Sequence, residues 1–127
     1  MVETPPRILV AEDEEDLGAL LQRVLERRGF RVDLVGDGRE ALAALGSRPY
    51  AVLISDLWLP RLDGLRLAEA ARRRWPALPV ILMTGRGDRQ SYVRAKDLRV
   101  VDYLTKPLRI TNLLAAVDRA LEPEIPA

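Results

Sequence analysis

The chain has 127 residues, of which 48% are hydrophobic and 31% are charged, and its formal net charge is +1. These values predict one globular domain and give no electrostatic reason to expect binding to nucleic acid or to a membrane surface. Cysteine and histidine are both absent, which excludes disulfides, thiolate nucleophiles, Ser-His-Asp triads and the usual zinc ligands. A bound metal ion would need oxygen ligands, which favours magnesium, calcium or manganese.

Five short apolar runs predict buried strands, and a helical pattern follows each of them. The predicted strands cover residues 8–11, 30–35, 51–54, 79–83 and 100–104. The predicted helices cover 17–25 with Gly29 as a stop, 40–45 ended by Gly46, 65–75 ended by Pro76, 88–97, and 110–121 ended by Pro123. The basic run 72–74 lies at the end of the third helix. There it suits the helix dipole, and we expect it to form a solvated face.

Strict alternation of five strands with five helices predicts an α/β fold. The expected form is a doubly wound (βα)5 three-layer sandwich with a parallel sheet. The second strand alternates apolar and charged residues, which suggests a position at the sheet edge. The flavodoxin-like order 2-1-3-4-5 satisfies this pattern and right-handed crossovers. Its switch point, between strands 1 and 3, places Glu12 and Asp13 beside Asp56.

Polar side chains follow four of the predicted strands at the edge of the sheet where ligands bind in such folds. They are Glu12 and Asp13 after strand 1, Asp56 after strand 3, Thr84 after strand 4 and Lys106 after strand 5. Three carboxylates in one crevice repel one another unless a cation neutralises them, and Mg²⁺ is the best candidate. A hydroxyl and an ammonium opposite that ion can clamp a phosphoryl group. An isolated aspartate would be a solvated loop residue or a helix cap, but this combination predicts a phosphoryl site.

The order and spacing of these motifs resemble those of the response-regulator receiver domains of two-component signalling, the CheY-like family. The resemblance covers about residues 7–122. The matching segments are 8–14 (ILVAEDE), 53–60 (LISDLWLP), 63–64 (DG), 83–85 (MTG) and 102–107 (DYLTKP).

The resemblance implies that Asp56 accepts a phosphoryl group from a phosphohistidine on a sensor histidine kinase or a histidine phosphotransfer protein. Asp13, Asp56 and the backbone carbonyl of Trp58 would bind Mg²⁺ directly, and Glu12 would bind it through water. The domain would be a signalling phosphoacceptor and not an enzyme, apart from its own phosphorylation and autodephosphorylation.

The resemblance also implies a conformational switch. Thr84 would hydrogen-bond a phosphoryl oxygen, Lys106 would pair with the phosphoryl group, and Tyr103 would change rotamer with Thr84. The bond before Pro107 would be cis. Phosphorylation would then shift a pre-existing equilibrium and alter the face of helix 4, strand 5 and helix 5, which would contact an output domain or target protein.

Several positions depart from the family pattern. Glu12 stands where many receivers have Asp, Arg99 stands where Gly is frequent, and Ala115 interrupts the ionic network of one known dimer face, so homodimerisation is left open. Trp58 is unusually large for its position, and with Arg86 it would screen the acyl phosphate from water. The alternative is that Trp58 packs on the surface or meets a partner.

Three other functions fit the sequence less well. An aspartate-nucleophile phosphatase of the haloacid-dehalogenase type needs a second aspartate two residues after the nucleophile, where this chain has Trp58. A flavodoxin-like FMN carrier needs a Ser/Thr/Gly-rich loop after strand 1, but here that loop is acidic. A degenerate pseudo-receiver, acting as an interaction module, would lack part of the acid, threonine and lysine set.

The domain prediction is a single receiver domain, 1–127, with a core of about 7–122 and a tail or the start of a linker at 123–127. No helix-turn-helix or basic recognition helix is apparent, so we expect no direct contact with nucleic acid. The N-terminus lacks the apolar core of a signal peptide, and no apolar stretch is long enough to cross a bilayer. The expected location is the cytoplasm.

Overall fold

The computed structural model describes residues 4–86 and 88–122 as an alternating series of strands and helices. The elements are β1 (Arg7–Ala11), α1 (Glu15–Arg27), β2 (Arg31–Val35), α2 (Gly38–Ser47), β3 (Val52–Asp56), α3 (Gly64–Arg74), β4 (Val80–Thr84), α4 (Arg89–Asp97), β5 (Asp102–Thr105) and α5 (Ile110–Ala120). The strands form one sheet in the order β2-β1-β3-β4-β5, and every neighbouring pair is parallel. The predicted fold class and strand order are therefore confirmed.

The sheet lies between two helical layers because successive side chains of a strand point to opposite faces. Leu9 and Leu53 pack in one core with residues of α2, α3 and α4. Val10 and Ile54 pack in the other core with residues of α1 and α5. All five residues of β3 and of β4 are buried, as expected for strands covered on both faces.

β2 occupies the edge of the sheet, as its alternating sequence predicted. Asp33 in this strand accepts hydrogen bonds from the Arg7 guanidinium at 3.1 Å and from the Tyr50 hydroxyl at 2.7 Å. Burial alone would raise the pKa of the Asp33 carboxyl, but the Tyr50 hydrogen bond and the Arg7 charge outweigh it, so the pKa lies below its ordinary value.

The second helix is longer than its sequence pattern predicted. It begins earlier because the Asp37 side chain accepts a hydrogen bond from the Glu40 N–H at 2.7 Å and caps the first turn. It continues through Gly46, which is helical and does not end it. The helix ends at Ser47 because Arg48 precedes Pro49 and adopts an extended conformation.

The fifth strand begins later than predicted, at Asp102. Arg99 adopts a left-handed conformation (φ 58°) after α4, so Val100 and Val101 complete the turn instead of starting the strand. The Arg99 N–H donates to the Lys96 carbonyl at 2.9 Å, and this hydrogen bond closes the C-terminal end of α4. The left-handed backbone explains why glycine suits this position.

Acidic residues lie at the start of α1. Glu14 is the N-cap residue, but its side chain makes no capping hydrogen bond. The Glu14 N–H instead donates to the Glu12 carboxylate at 3.0 Å. Glu15 and Asp16 do lie in the first turn.

The basic run at the end of α3 is not simply a solvated face. Arg72 donates hydrogen bonds to the backbone carbonyls of Pro76 at 2.7 Å and Leu98 at 3.0 Å. It thereby connects the end of α3 to the end of α4, while Arg73 and Arg74 are exposed as expected. The prediction was wrong for Arg72 because its acceptors are carbonyls, which a charge pattern does not show. Within 4–86 and 88–122, no helix has the length and apolar character needed to cross a membrane.

Candidate phosphoacceptor site

The carboxyl ends of β1 and β3 bring three acids together. Ala11 pairs with Ser55 in the parallel register. Glu12, directly after β1, therefore lies beside Asp56, the last residue of β3. Carboxylate oxygens of Glu12, Asp13 and Asp56 all lie within 4.8 Å of one another. Glu12 is 3% exposed and Asp56 6% exposed, whereas Asp13 is exposed. The predicted cluster of acids is thus present, with two acids inside the crevice and one at its mouth.

Lys106 joins two of these acids. Its Nζ lies 2.9 Å from Glu12 Oε1 and 2.8 Å from Asp56 Oδ2. The position is set by the sheet, because the Lys106 N–H donates to the Thr84 carbonyl at 2.8 Å as β5 ends beside β4. Burial disfavours the ammonium, but the hydrogen bonds to Asp56 and Glu12 outweigh it and hold the pKa of Lys106 above its ordinary value.

Glu12 is buried like Asp56, whereas Asp13 is exposed. Burial raises the pKa of the Glu12 carboxyl above its ordinary value, against the lowering effect of the hydrogen bonds from the Glu14 N–H and Lys106. Its two oxygens are thus held by two different donors. This fixes the orientation of the carboxylate.

The backbone around Asp56 is held from several sides. The Trp58 N–H donates to Asp56 Oδ1 at 3.2 Å, and the Ser55 hydroxyl donates to the Asp56 carbonyl at 2.9 Å. Gly64 crosses so close to this strand end that a Cβ there would lie 2.1 Å from the Asp56 carbonyl oxygen. Its N–H donates to the Leu57 carbonyl at 2.7 Å. Only glycine permits this approach, which positions Asp56 against the first turn of α3.

A chain of hydrogen bonds links Trp58 to Thr84. The Trp58 indole N–H donates to the Arg86 carbonyl at 3.0 Å, and the Arg86 N–H donates to the Thr84 hydroxyl at 3.0 Å. Thr84 is 1% exposed, while Trp58 is 47% exposed. The indole therefore connects the loop after β3 to the loop after β4 across the mouth of the crevice.

Tyr103 points its hydroxyl into the protein. This hydroxyl is buried and has no hydrogen-bond partner among the described residues. The Tyr103 ring packs edge-to-face on Tyr92 of α4, with ring centroids 5.5 Å apart. Burial and the charge of Asp88 raise the pKa of Tyr103. An aromatic pair therefore couples β5 to α4.

The peptide bond between Lys106 and Pro107, just after β5, is cis.

Sequence reasoning missed Gly64, Ser55 and Tyr92 as residues of the site. The Asp-Gly pair at 63–64 was noted only as a motif, although a glycine at the start of a helix is a signal of close backbone approach. Ser55 carries no signal in the sequence because its hydroxyl bonds a backbone carbonyl, that of Asp56. Tyr92 carries none because its partner, Tyr103, belongs to a separate strand.

The donor set suits a hard divalent cation. The side chains of Glu12, Asp13 and Asp56 offer carboxylate oxygens at one edge of the sheet, and oxygen donors are those that Mg²⁺ prefers. Lys106 neutralises part of the negative charge of Glu12 and Asp56, while Asp13 lies at the exposed side of the cluster. The cluster could therefore hold a metal ion at the mouth of the crevice.

A family model for the response regulator receiver domain matches residues 8–118. Transcriptional regulatory protein TcrA of Mycobacterium tuberculosis is 41% identical over 91% of this chain and 45% of its own length. DNA-binding transcriptional regulator NtrC of Salmonella typhimurium is 38% identical over 90% of this chain and 24% of its own length. The chain thus spans less than half of each of these two relatives.

Solved structures with the same fold include receiver domains. The receiver domain of NtrX from Brucella abortus is 34% identical with a TM-score of 0.85, and the match covers 92% of this chain and 99% of that one. The non-phosphorylated HemR receiver domain from Leptospira biflexa is 29% identical with a TM-score of 0.87, over 96% and 98% of the two chains.

The chain belongs to the response-regulator receiver family. It is a receiver domain, a signalling module of two-component systems, and the predicted phosphoacceptor role fits this membership. These relatives give no support to a haloacid-dehalogenase-like phosphatase or to a degenerate interaction module.

Proposed function

We propose that Asp56 is the residue that accepts the phosphoryl group. The observation that carries this proposal is its environment: one carboxylate oxygen faces the Lys106 ammonium at 2.8 Å, and the other accepts the Trp58 N–H at 3.2 Å. Glu12 and Asp13 lie next to it. The donor is a phosphohistidine on a sensor histidine kinase or a histidine phosphotransfer protein. It belongs to another protein because the chain itself has no histidine.

In the transfer, an Asp56 oxygen attacks phosphorus while the bond between phosphorus and the donor imidazole nitrogen breaks. Asp13, Asp56 and the Trp58 carbonyl would hold Mg²⁺ directly, and Glu12 would hold it through water. When bound, the ion would neutralise negative charge at the phosphoryl oxygens. The Lys106 ammonium stabilises the same developing charge and positions the Asp56 carboxylate. Burial of Asp56 keeps bulk water from the acyl phosphate.

The output step uses residues beside the site. Thr84 donates its hydroxyl to a phosphoryl oxygen, and the loop after β4 moves with it. Tyr103 responds because its ring packs on Tyr92 of α4 and its inward hydroxyl has no hydrogen-bond partner among the described residues. A shift in this pair alters the surface of α4, β5 and α5, which contacts an output domain or a target protein.

A substitution at Asp56 tests the assignment. Asp56→Asn keeps the shape of the side chain but removes the nucleophilic carboxylate, so incubation with acetyl phosphate and Mg²⁺ should give no added phosphoryl group by mass spectrometry. Asp118→Asn, which changes an exposed carboxylate on α5, should be labelled like the wild type. Chelation of Mg²⁺ should prevent labelling in both proteins that retain Asp56. Labelled Asp56→Asn protein would contradict the proposal.

The wider setting is also part of the proposal. We place the receiver domain in the cytoplasm as one unit with a core of about 7–122, and a dimer through α4, β5 and α5 stays a prediction. On that face, Asp102 and Arg119 form an ion pair within the chain. The predicted tail or linker at 123–127 lies outside the described residues. No contact with nucleic acid is proposed for this domain, because the helices and strands of the described residues form only the receiver fold.

A further inference from the structure

A groove runs along the seam between α2 and α3. Its wide end is a cavity of about 710 Å³ formed by residues 45–51 and 74–79. A second cavity of about 620 Å³ lies along the helices, and the two share Gly46, Ser47 and Arg74. The wide end lies where β3 and β4 begin, whereas Asp56 and Thr84 lie where those strands end. Five residues of strand separate the two places, roughly 15 Å.

The walls of the wide end are mostly apolar. Tyr50 and Trp75, both half-buried, line the wide end together with Pro49 and Pro76. Leu42 lines the second cavity together with the small residues Ala43 and Gly46. An apolar cavity of this size suits aliphatic or proline side chains.

The charged residues that line the groove are all arginines. They are Arg39, Arg48 and Arg74, and no carboxylate lines either cavity. Within the described residues, Arg39 and Arg74 form no ion pair, and the Arg74 guanidinium lies 4.7 Å from the Trp75 ring. Residues 38–50 and 64–79 contain six arginines and two glutamates, in a chain whose net charge is only +1. Positive charge is thus concentrated around this apolar groove.

We propose that the groove binds an acidic peptide segment of a partner protein. Carboxylates of that segment pair with Arg39 and Arg74, and an aliphatic or proline side chain enters between Tyr50 and Trp75. An acidic peptide fits better than nucleic acid because the wide end offers apolar walls and the chain as a whole is nearly neutral. Since the wide end of the groove and Asp56 lie at opposite ends of β3, entry of the apolar side chain at the wide end does not require phosphorylation.

The two tryptophans of the chain provide a direct assay. In a Trp58→Phe background, Trp75 is the only tryptophan, and its fluorescence reports on the wide end of the groove. The probe is a short synthetic peptide in which glutamates flank a central Leu-Pro-Leu. We expect a saturable change in Trp75 emission, and Arg39→Glu combined with Arg74→Glu should weaken the affinity about tenfold. Arg66→Glu is the matched control, because Arg66 is exposed on α3 and does not line the groove.

The controls separate this proposal from general charge attraction and from the phosphoacceptor assignment. Equal weakening by Arg66→Glu, equal binding of a peptide with glutamines in place of glutamates, or displacement by a single-stranded oligonucleotide would each overturn it. So would the absence of binding at millimolar peptide. Asp56→Asn should bind the peptide as well as the parent protein does. Failure of the phosphorylation test therefore bears on Asp56 alone.

Discussion

Replacing Trp58 tests whether the indole screens the acyl phosphate from water. The indole N–H donates to the Arg86 carbonyl at 3.0 Å and connects the two loops that flank Asp56 and Thr84. Trp58→Phe removes this hydrogen bond but keeps an aromatic ring over the crevice. Trp58→Ala removes both the hydrogen bond and the ring. The pair of variants therefore separates the effect of the bond from that of the side-chain bulk.

The magnitude follows from the exposure of the bond. A neutral hydrogen bond contributes about 1 kcal/mol, and at 47% exposure we take ~0.5–1 kcal/mol for the one made by Trp58. This free energy changes the equilibrium between connected and separated loops about two- to fivefold. If water reaches the acyl phosphate when the loops separate, Trp58→Phe should speed autodephosphorylation by that factor. Trp58→Ala should speed it further.

The assay is the loss of the phosphoryl group from the isolated, phosphorylated domain after the phosphodonor is removed. Trp75→Phe is the matched control, because Trp75 lies beyond α3 at the opposite end of the sheet. An unchanged rate in Trp58→Ala would refute the screening role and leave surface packing or partner contact as the function of Trp58. A faster rate in Trp58→Ala with no change in Trp58→Phe would show that the ring acts without the hydrogen bond.

Three further predictions concern stability, measured as the free energy of unfolding in urea. Arg72→Ala should lower the free energy of unfolding by about 2 kcal/mol because it removes charged hydrogen bonds to carbonyls. Arg73→Ala should change it by less than about 0.5 kcal/mol, and equal effects of the two substitutions would contradict the role of Arg72. Arg99→Gly should stabilise the fold by about 0.5–1 kcal/mol, because it relieves a left-handed backbone (φ 58°); destabilisation would refute this. Burial, and then the hydrogen bond to Asp33, raise the pKa of Tyr50 to about 12. The pKa of Tyr50 is thus higher in the folded state than in the unfolded state, where it is about 10. Its contribution to the free energy of unfolding is therefore complete below pH 10 and is lost as the pH rises towards 12. Tyr50→Phe should lack this alkaline loss, and an identical pH profile would contradict the linkage.

The sequence by itself determined the fold and the composition of the site. Strands buried on both faces must be apolar along their whole length, so β3 and β4 are visible as apolar runs, and β2 is visible as an edge by its alternation. Each polar residue that directly follows such a run lies at the same sheet edge. The sequence alone could therefore place Glu12, Asp56 and Thr84 together at this edge of the sheet. Element ends were less predictable, because Gly46 is helical and Arg99 is left-handed for reasons that depend on neighbouring turns.

Only the tertiary structure decided which groups contact one another. Lys106 bonds Glu12, which lies 94 positions earlier in the chain, and Arg72 bonds the carbonyl of Leu98. The Trp58 indole finds the Arg86 carbonyl 28 positions later. The sequence pattern placed Lys106 and Glu12 at one edge of the sheet. It carries no information about which carbonyl Arg72 or Trp58 reaches, because backbone carbonyls are present at every position. The close approach of Gly64 to the strand end is likewise a property of how α3 packs on β3 and not of either segment alone.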